Sequence, residues 1–444
     1  MIRKILIRIL IITAICCTTS VTFGQNSQGM PIPDNIVQVE FDDYFFPNTL
    51  RIDYYIAGDA NNEFIYLDRI KQEPYWSGPR KHLIDPFNSG TYRITVFDSV
   101  TGTLLFTKGF CNLFQEWKRT PEALHLKRSF EQTAIVPFPR QTIRFQVEKR
   151  KYEDGKFEKL FMMYINPNDY FISRKKVHEI PFVKFYDSGE PENKVDIAFI
   201  AEGYTKDQMD KFLKDAKRIC DYFLSQEPYN EYKDRFNFYA IESPSEETGV
   251  DVPGRRIYVN TDINSSFYTF DMDRYLTTSN TKEVYDIAAN VPYDVIFILV
   301  NSKIYGGGGF YNHFGESTVD NFFSEIVSIH EFGHTFAGLA DEYYTSEVTY
   351  SDFYNTKVEP WEPNLTTNIN FDSKWKYMVK KGTPIPTPRD EKYQNVVGMF
   401  EVGGYVGKGV YSPMEDCRMK SNEAPGFCPV CQQAIIRMIK FYSE

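Results

Sequence analysis

The sequence predicts two domains of different fold class: an antiparallel β-sandwich, followed by an α/β domain with a largely parallel or mixed sheet. In residues 37–165, short stretches alternate apolar and polar side chains between turn residues, which is typical of sandwich strands. From about residue 190, apolar strands alternate with helical patterns, which favours helices packed on a sheet. A length of 444 residues suits more than one domain.

Strand signals are strongest at three places in the first half. Residues 91–97 and 143–147 alternate, and Asp154 and Gly155 stand between two such stretches as a hairpin turn. No cluster of His, Cys and acidic residues occurs in this half. The first domain is therefore expected either to have a structural, prodomain-like role or to bind carbohydrate or protein.

The second half begins with a buried strand at residues 195–201 and a helix. Thr205 and Gln208 form a capping box that predicts where this helix begins. Apolar residues then recur at helical spacing, and Cys220 lies on the apolar face, which predicts an inert core thiol. Two further apolar strands are predicted, at residues 236–241 and 294–300.

Residues 1–24 have the pattern of a secretory signal peptide: basic residues, a short apolar run and small residues before a cleavage point after Gly24. The apolar run is shorter than the roughly 20 residues that span a bilayer, which disfavours a membrane anchor. Lipidation at Cys16 or Cys17 is a minor alternative, because Ile15 fits a lipoprotein signal poorly. The expected location is secreted, periplasmic or at the cell surface.

The net charge indicates which partners are unfavourable, and the number of cysteines limits how the thiols can pair. The net charge of −10 becomes −13 when the three basic residues of the signal peptide are removed. That balance argues against nucleic acid or an anionic membrane surface as partner. Five cysteines remain after cleavage, so at least one thiol stays free unless a second chain pairs with it.

His330, Glu331 and His334 form the pattern His-Glu-x-x-His, and the chain contains only six histidines. Two imidazoles four residues apart stand on one helix face and can bind one zinc ion, while Glu331 can lie beside the metal as a general base. The alternative is a buried helix with two hydrogen-bonded histidines. The secretory signal, the preceding strand and the acidic residues that follow favour the metal site.

A hydrolytic zinc site needs a third protein ligand and an open position for water. The helix is expected to end near Gly338, and a chain reversal there would bring Asp341 to the metal. Glu342 is an alternative ligand or a partner that orients an imidazole. Tyr343 or Tyr344 is a candidate hydrogen-bond donor to the oxyanion of the reaction, or a packed aromatic residue.

A run of four glycines at residues 306–309 precedes this helix. Such a backbone is either a flexible loop or a segment that approaches a ligand closely. A phosphate-binding loop is disfavoured, because no Gly-Lys-Ser/Thr sequence follows.

Residues 330–344, with the sequence HEFGHTFAGLADEYY, resemble the signature of the M64 peptidases, a family named for an IgA-cleaving bacterial enzyme. Further similar stretches are residues 202–205, 251–254, 305–309 and 417–431. The resemblance covers about residues 190–435, and the β-rich front half is similar to the domain that often precedes it. It implies a zinc endopeptidase with a metzincin-like catalytic domain, without implying IgA as substrate.

Metzincins place a methionine beneath the zinc ion in a turn before the last helix, which here points to Met419, with an ordinary core methionine as the alternative. The third histidine of metzincins would fall at Ala340, which cannot bind a metal. Cys417, Cys428 and Cys431 are expected to form a disulfide, with Cys417 bonded to one of the others. A zinc site built from these thiols would lack a fourth ligand.

The sequence thus predicts a signal peptide at 1–24, a β-sandwich domain at 25–165 and a zinc metallopeptidase domain at 166–444. The expected substrates are proteins or peptides, and the expected cofactor is Zn²⁺. One alternative is a non-catalytic surface protein that binds glycans or proteins through a degenerate peptidase domain, which the intact Glu331 disfavours. Another is a zinc hydrolase acting on a different bond.

Overall fold

The computed structural model describes residues 38–344 and 353–444, so the predicted signal peptide lies outside the described residues. Over these residues the chain combines helices with four sheets, and a β-rich part precedes a mixed α/β part. The predicted order of a β domain followed by an α/β domain is therefore confirmed. Within these two stretches, none of the helices has the length and apolar character that crossing a membrane requires.

Two four-stranded sheets make up the β-rich part. Their strand orders are β5-β1-β2-β8 and β4-β3-β6-β7, and all neighbouring pairs are antiparallel except the short parallel pair β2–β8. The predicted hairpin at Asp154 and Gly155 joins β6 to β7, with Gly155 in a left-handed conformation (φ 69°). The elements are α1 (Phe41–Tyr44), β1 (Phe45–Gly58), β2 (Glu63–Glu73), β3 (Tyr92–Asp98), β4 (Leu104–Phe110), α2 (Leu113–Trp117), β5 (Arg128–Pro139), β6 (Ile143–Arg150), β7 (Phe157–Ile165) and β8 (Ile172–Ser173).

Alternate side chains of both sheets meet in one hydrophobic core. Ile52 of β1, Ile94 of β3 and Phe145 of β6 are buried in this cluster, together with Trp117 of α2. Because successive side chains of a strand point to opposite faces, the alternation seen in the sequence places one face of each sheet in this core.

A six-stranded sheet forms the centre of the α/β part, in the order β13-β14-β12-β10-β11-β9. The four inner strands are parallel, and both edge strands are antiparallel to their neighbours, which confirms the predicted mixed sheet. The elements are β9 (Phe182–Tyr186), β10 (Val195–Glu202), α3 (Met209–Ser225), β11 (Phe236–Ile241), α4 (Thr281–Ala288), β12 (Val295–Val300), β13 (Gly307–Gly309), β14 (Phe314–Thr318), α5 (Ser324–Ala337), β15 (Phe400–Gly403), β16 (Val406–Ser412) and α6 (Pro429–Ser443).

Both faces of this sheet are covered. Phe199 and Phe297 point into a core that contains residues of α3, α5 and α6, whereas Ile200 and Ile298 point into a second core with α4. Burial on both faces explains why the inner strands are almost uninterruptedly apolar in sequence. The predicted capping box precedes α3, and Cys220 is buried in the first core, as expected.

The two parts of the chain are joined by a buried ionic network. Arg51 of β1 is fully buried and pairs with Asp53 and Glu73 of its own sheet at 2.7 and 3.0 Å. It also pairs with Asp286 of α4 at 2.6 Å, and Ile135 of β5 packs into the core around α4. Removing one partner of a buried ion pair is costly, so this network fixes the β-rich part against the α/β part.

Candidate metal centre

The histidine-bearing helix ends where the sequence predicted. Helix α5 stops at Ala337, and Gly338 adopts a left-handed conformation with φ 61°. The amide groups of Gly338 and Leu339 donate to the carbonyl oxygens of His334 and Gly333, at 3.1 and 3.2 Å. This cap reverses the chain, and the reversal returns Asp341 to the histidine face of α5.

Three predicted ligand atoms converge at this point. The Nε2 atoms of His330 and His334 lie 3.1 Å apart. Asp341 Oδ1 lies 3.1 Å from Nε2 of His330 and 3.5 Å from Nε2 of His334. Two ligand atoms bound at about 2.1 Å to a tetrahedral zinc ion are about 3.4 Å apart, so the spacing of the three atoms suits such an ion.

The hydrogen bonds of the imidazoles determine what they offer to the site. Nδ1 of His330 donates to the carbonyl oxygen of Arg418 at 2.9 Å, and Nδ1 of His334 donates to that of Leu339 at 2.5 Å. A carbonyl oxygen only accepts, so each neutral imidazole keeps its proton on Nδ1 and presents a lone pair at Nε2. Among the described residues, none donates a hydrogen bond to the buried Asp341 Oδ1, so three acceptors face one another. Two imidazole lone pairs and a carboxylate oxygen that face one another suit the binding of a cation.

Electrostatics point the same way. Burial lowers the pKa of both imidazoles, but the nearby carboxylate of Asp341 raises it by more. The net result is a pKa of about 9 for His334 and an upward shift for His330. Burial also opposes ionisation of Asp341, yet the two imidazoles hold the pKa of that carboxyl well below its usual range. The site stabilises positive charge next to Asp341, whether as protons or as a metal ion.

A residue that the sequence analysis missed holds the other oxygen of Asp341. The hydroxyl of Tyr405 donates to Asp341 Oδ2, and the amide of Gly404 donates to the carbonyl oxygen of Asp341 at 2.8 Å. Tyr405 lies between β15 and β16, 64 residues after Asp341. The preceding glycines indicate a turn, but no local signal connects this tyrosine with the metal centre.

We expect Tyr405→Phe to weaken metal retention, because Asp341 loses the hydrogen bond that orients its carboxylate. Outer partners of this kind typically contribute about 10–100-fold to metal affinity or activity. Competition with a chromogenic chelator measures the change, and Tyr411→Phe on the same hairpin is the control that should retain wild-type affinity. Equal metal affinity of Tyr405→Phe and wild type would show that the backbone alone positions Asp341.

Glu331 lies beside the three ligand atoms and faces the glycine-rich strand β13. A Cβ atom added to Gly307 would come within 2.8 Å of Cγ of Glu331, and one added to Gly309 within 2.6 Å of its carbonyl oxygen. The glycines therefore form a strand that lets the sheet approach α5 closely. Burial raises the pKa of Glu331, while the two imidazoles lower it, and the net shift is upward. A raised pKa suits a group that accepts a proton.

Met419 is fully buried beneath α5. Its sulfur lies 3.0 Å from the position of a Cβ atom added to Gly333, the residue directly before His334. The carbonyl oxygen of Met419 accepts from the amide of Glu342 at 2.8 Å, and that of Arg418 accepts from His330. The turn before α6 thus supports both the helix and the segment that carries Asp341.

Glu342 lies away from the two imidazoles. Its carboxylate accepts from Asn364 Nδ2 at 2.9 Å and from the Cys431 thiol at 3.2 Å, in a buried group that includes Cys417 and Cys428. The predicted disulfide is wrong for this structure, because all three cysteines are free. The sulfur atoms of Cys417 and Cys431 are 3.7 Å apart, whereas a disulfide bond is about 2.05 Å long.

A cleft of about 800 Å³ opens above the three ligand atoms. Tyr343 and Tyr344 line it, half-buried and 57% exposed respectively. Arg274, which the sequence analysis did not identify, also lines the cleft, with its guanidinium 5.8 Å from the ring centre of Tyr343. The β-rich part contributes a wall that includes Glu116, Arg119, Arg150, Lys151 and Tyr152.

Two sequence-family profiles match the chain. The profile described as IgA Peptidase M64 matches residues 183–392 and 389–439, which is more than half of the chain. The profile described as Peptidase M64 N-terminus matches residues 40–162. A comparison with curated proteins finds no match.

Proposed function

Because the chain belongs to the M64 peptidase family, we propose that it is a secreted, zinc-dependent endopeptidase that hydrolyses peptide bonds of protein or peptide substrates. The observation that carries the proposal is the convergence of three acceptor atoms beside Glu331 in an open cleft. Export with cleavage after Gly24 belongs to the same proposal, and N-terminal sequencing of the mature protein tests it.

His330, His334 and Asp341 would hold the metal through Nε2, Nε2 and Oδ1. Two imidazole nitrogens and one carboxylate oxygen, with the remaining position open to solvent, are typical of hydrolytic zinc sites. A zinc ion held there would supply Lewis acidity, which makes water more acidic and polarises a peptide carbonyl group. The Nδ1 hydrogen bonds to the backbone keep both imidazoles in the tautomer that this role requires.

Glu331 would act as the general base. Its position one residue after His330 places the carboxylate beside the ligand atoms and against β13, where it can take a proton from the attacking water. The same group would then deliver that proton to the amine that leaves. Tyr343 or Tyr344 would donate a hydrogen bond to the oxyanion, since both line the cleft close to Asp341.

The surroundings of the site support a metzincin-like arrangement of the catalytic domain. Met419 would serve as the methionine beneath the metal, because it is buried directly under the histidine helix. The β-rich part, which we take to be a sandwich of its two sheets, would help to select substrates, because several of its polar side chains line the cleft. A cleft with walls from both domains suits a segment within a longer peptide chain.

The proposal predicts cleavage of peptides that depends on metal. Incubation of the purified protein with a broad peptide library, followed by mass spectrometry, should show internal cleavage that a zinc chelator abolishes and added zinc restores. Cleavage that persists in chelated, metal-free protein would contradict a metal-dependent mechanism. Binding of peptides or glycans without any cleavage would instead support a degenerate peptidase domain.

A further inference from the structure

A second group of potential metal ligands lies next to the metal centre but shares no residue with it. It consists of Glu342, Cys417, Cys428 and Cys431, and we refer to it as the thiol cluster. All four residues are at least 96% buried. The metal centre and the proposed reaction leave these groups without a role.

The distances within the thiol cluster are close to those around a tetrahedral zinc ion. Sulfur ligands at about 2.3 Å from such an ion are about 3.8 Å apart, and a sulfur and an oxygen ligand are about 3.6 Å apart. Cys417 and Cys431 are separated by 3.7 Å between their sulfur atoms, and the sulfur of Cys431 lies 3.2 Å from Glu342 Oε1. The four ligand atoms all lie within 4.8 Å of one another.

The local sequence also has the form of a zinc site. Cys428 is the residue before the first turn of α6 and Cys431 lies in that turn, so the pair has the C-x-x-C spacing of zinc ligands. The start of a helix stabilises thiolates through its free amide groups. The amide of Cys428 also donates to the sulfur of Cys417 at 3.2 Å.

Glu342 lies beside the three cysteines and offers the fourth ligand that their own stretch of sequence does not contain. Its Oε1 is oriented by Asn364, whose side chain also bonds to the amide and the carbonyl oxygen of Ala340. Its Oε2 is buried, and no group in the described part of the chain donates a hydrogen bond to it. A buried carboxylate oxygen without a partner is costly, and a cation bound by this carboxylate would offset that cost.

Charge balance is consistent with a divalent cation. Three thiolates and one carboxylate carry four negative charges, of which a zinc ion would neutralise two. The buried ammonium group of Lys420 has no hydrogen-bond partner within residues 38–344 and 353–444. It interacts electrostatically with Glu342 and Cys417 and would offset a third negative charge. The protons of the thiols would pass to solvent when the metal binds.

We propose that Glu342, Cys417, Cys428 and Cys431 bind a second zinc ion, with a structural role. Four protein ligands leave no open position for water, which distinguishes this ion from a catalytic one. It would join Glu342, the neighbour of Asp341, to Cys417, the neighbour of Arg418, whose carbonyl oxygen orients His330. A zinc ion in the thiol cluster would therefore fix the positions of Asp341 and of the Arg418 carbonyl group relative to each other.

Metal analysis of purified protein by mass spectrometry tests the proposal. We expect about two zinc ions per wild-type chain and about one in the variant Cys428→Ala/Cys431→Ala. His330→Ala should also retain about one, and Cys220→Ala, which removes a buried thiol outside the cluster, should retain both. If the double cysteine variant holds as much zinc as wild type, or wild type holds only one ion that His330→Ala removes, the second site is overturned.

X-ray absorption at the zinc edge keeps the test independent of how well the variants fold. Wild-type protein should show zinc–sulfur scattering at about 2.3 Å, because the metal centre offers only nitrogen and oxygen ligands. Scattering from nitrogen and oxygen alone would overturn the proposal, as would an intact mass about 2 Da below that of the free thiols, which indicates a disulfide. If the protein shows zinc–sulfur scattering but cleaves no peptide, the second zinc site is supported and the proposed peptidase function is contradicted.

Discussion

Replacement of Glu331 by Gln should lower kcat for peptide cleavage by about a hundredfold or more, while the metal content stays at the wild-type level. Gln keeps the size and shape of Glu but cannot accept a proton, and a positioned general base typically contributes 10²–10⁴-fold. Glu331 is not among the three converging ligand atoms, so the metal should remain bound. Steady-state kinetics on a peptide from the library, with metal analysis of the same sample, measures both quantities.

Glu325→Gln is the matched control, because it makes the same change in the first turn of the same helix, where Glu325 pairs with Arg218. This variant should keep both turnover and metal. Loss of zinc in Glu331→Gln would identify Glu331 as a ligand. Unchanged turnover would place the base on another residue.

Replacement of Asp341 by Ala should remove the metal from the centre and with it all measurable turnover. Asp341 would supply one of the three proposed protein ligands and the only negative charge among them, so its loss should cost more than the roughly 10–100-fold that an outer partner contributes. Zinc dissociation constants from chelator competition, together with metal content, give the size of the effect.

Two further variants show whether this effect is specific. Asp372→Ala removes an exposed carboxylate that does not line the cleft and should change neither metal content nor turnover. Glu342→Ala should spare the metal at His330 and His334 more than Asp341→Ala does, because Glu342 faces the thiol cluster. If Glu342→Ala removed that metal and Asp341→Ala retained it, the order of the two acidic residues would be reversed.

The core of the site could be predicted from the sequence because its determinants are local. The spacing of His330 and His334 fixes their shared helix face. Gly338 fixes the end of the helix, and the chain reversal that follows returns Asp341 within a few residues. Short-range geometry of this kind is encoded in a single stretch of sequence.

The parts that sequence analysis missed depend on long-range contacts. Tyr405 reaches Asp341 across 64 residues, and Cys431 meets Glu342 across 89. The three cysteines therefore lacked a fourth ligand in the sequence, and the expectation of a disulfide rested only on the oxidising compartment. That compartment does not determine whether the thiols meet at bonding distance.

The same contrast between local and long-range determinants applies to the fold. Alternation and turn residues predicted strands such as β3 and β6, as well as the hairpin at Asp154 and Gly155. The order of the strands in each sheet, such as β5-β1-β2-β8, follows from non-local pairing and was not predicted. The position of the β-rich part against the cleft depends on buried contacts such as that of Arg51 with Asp286, for which a single sequence gives no signal.

Anomalous diffraction from crystals of the wild-type protein, recorded above and below the zinc absorption edge, tests the central claim most directly. The claim is that His330, His334 and Asp341 hold a zinc ion in the cleft. It predicts an anomalous peak about 2.1 Å from Nε2 of both histidines and from Oδ1 of Asp341. A catalytically active crystal preparation with no zinc peak among these three atoms would contradict it.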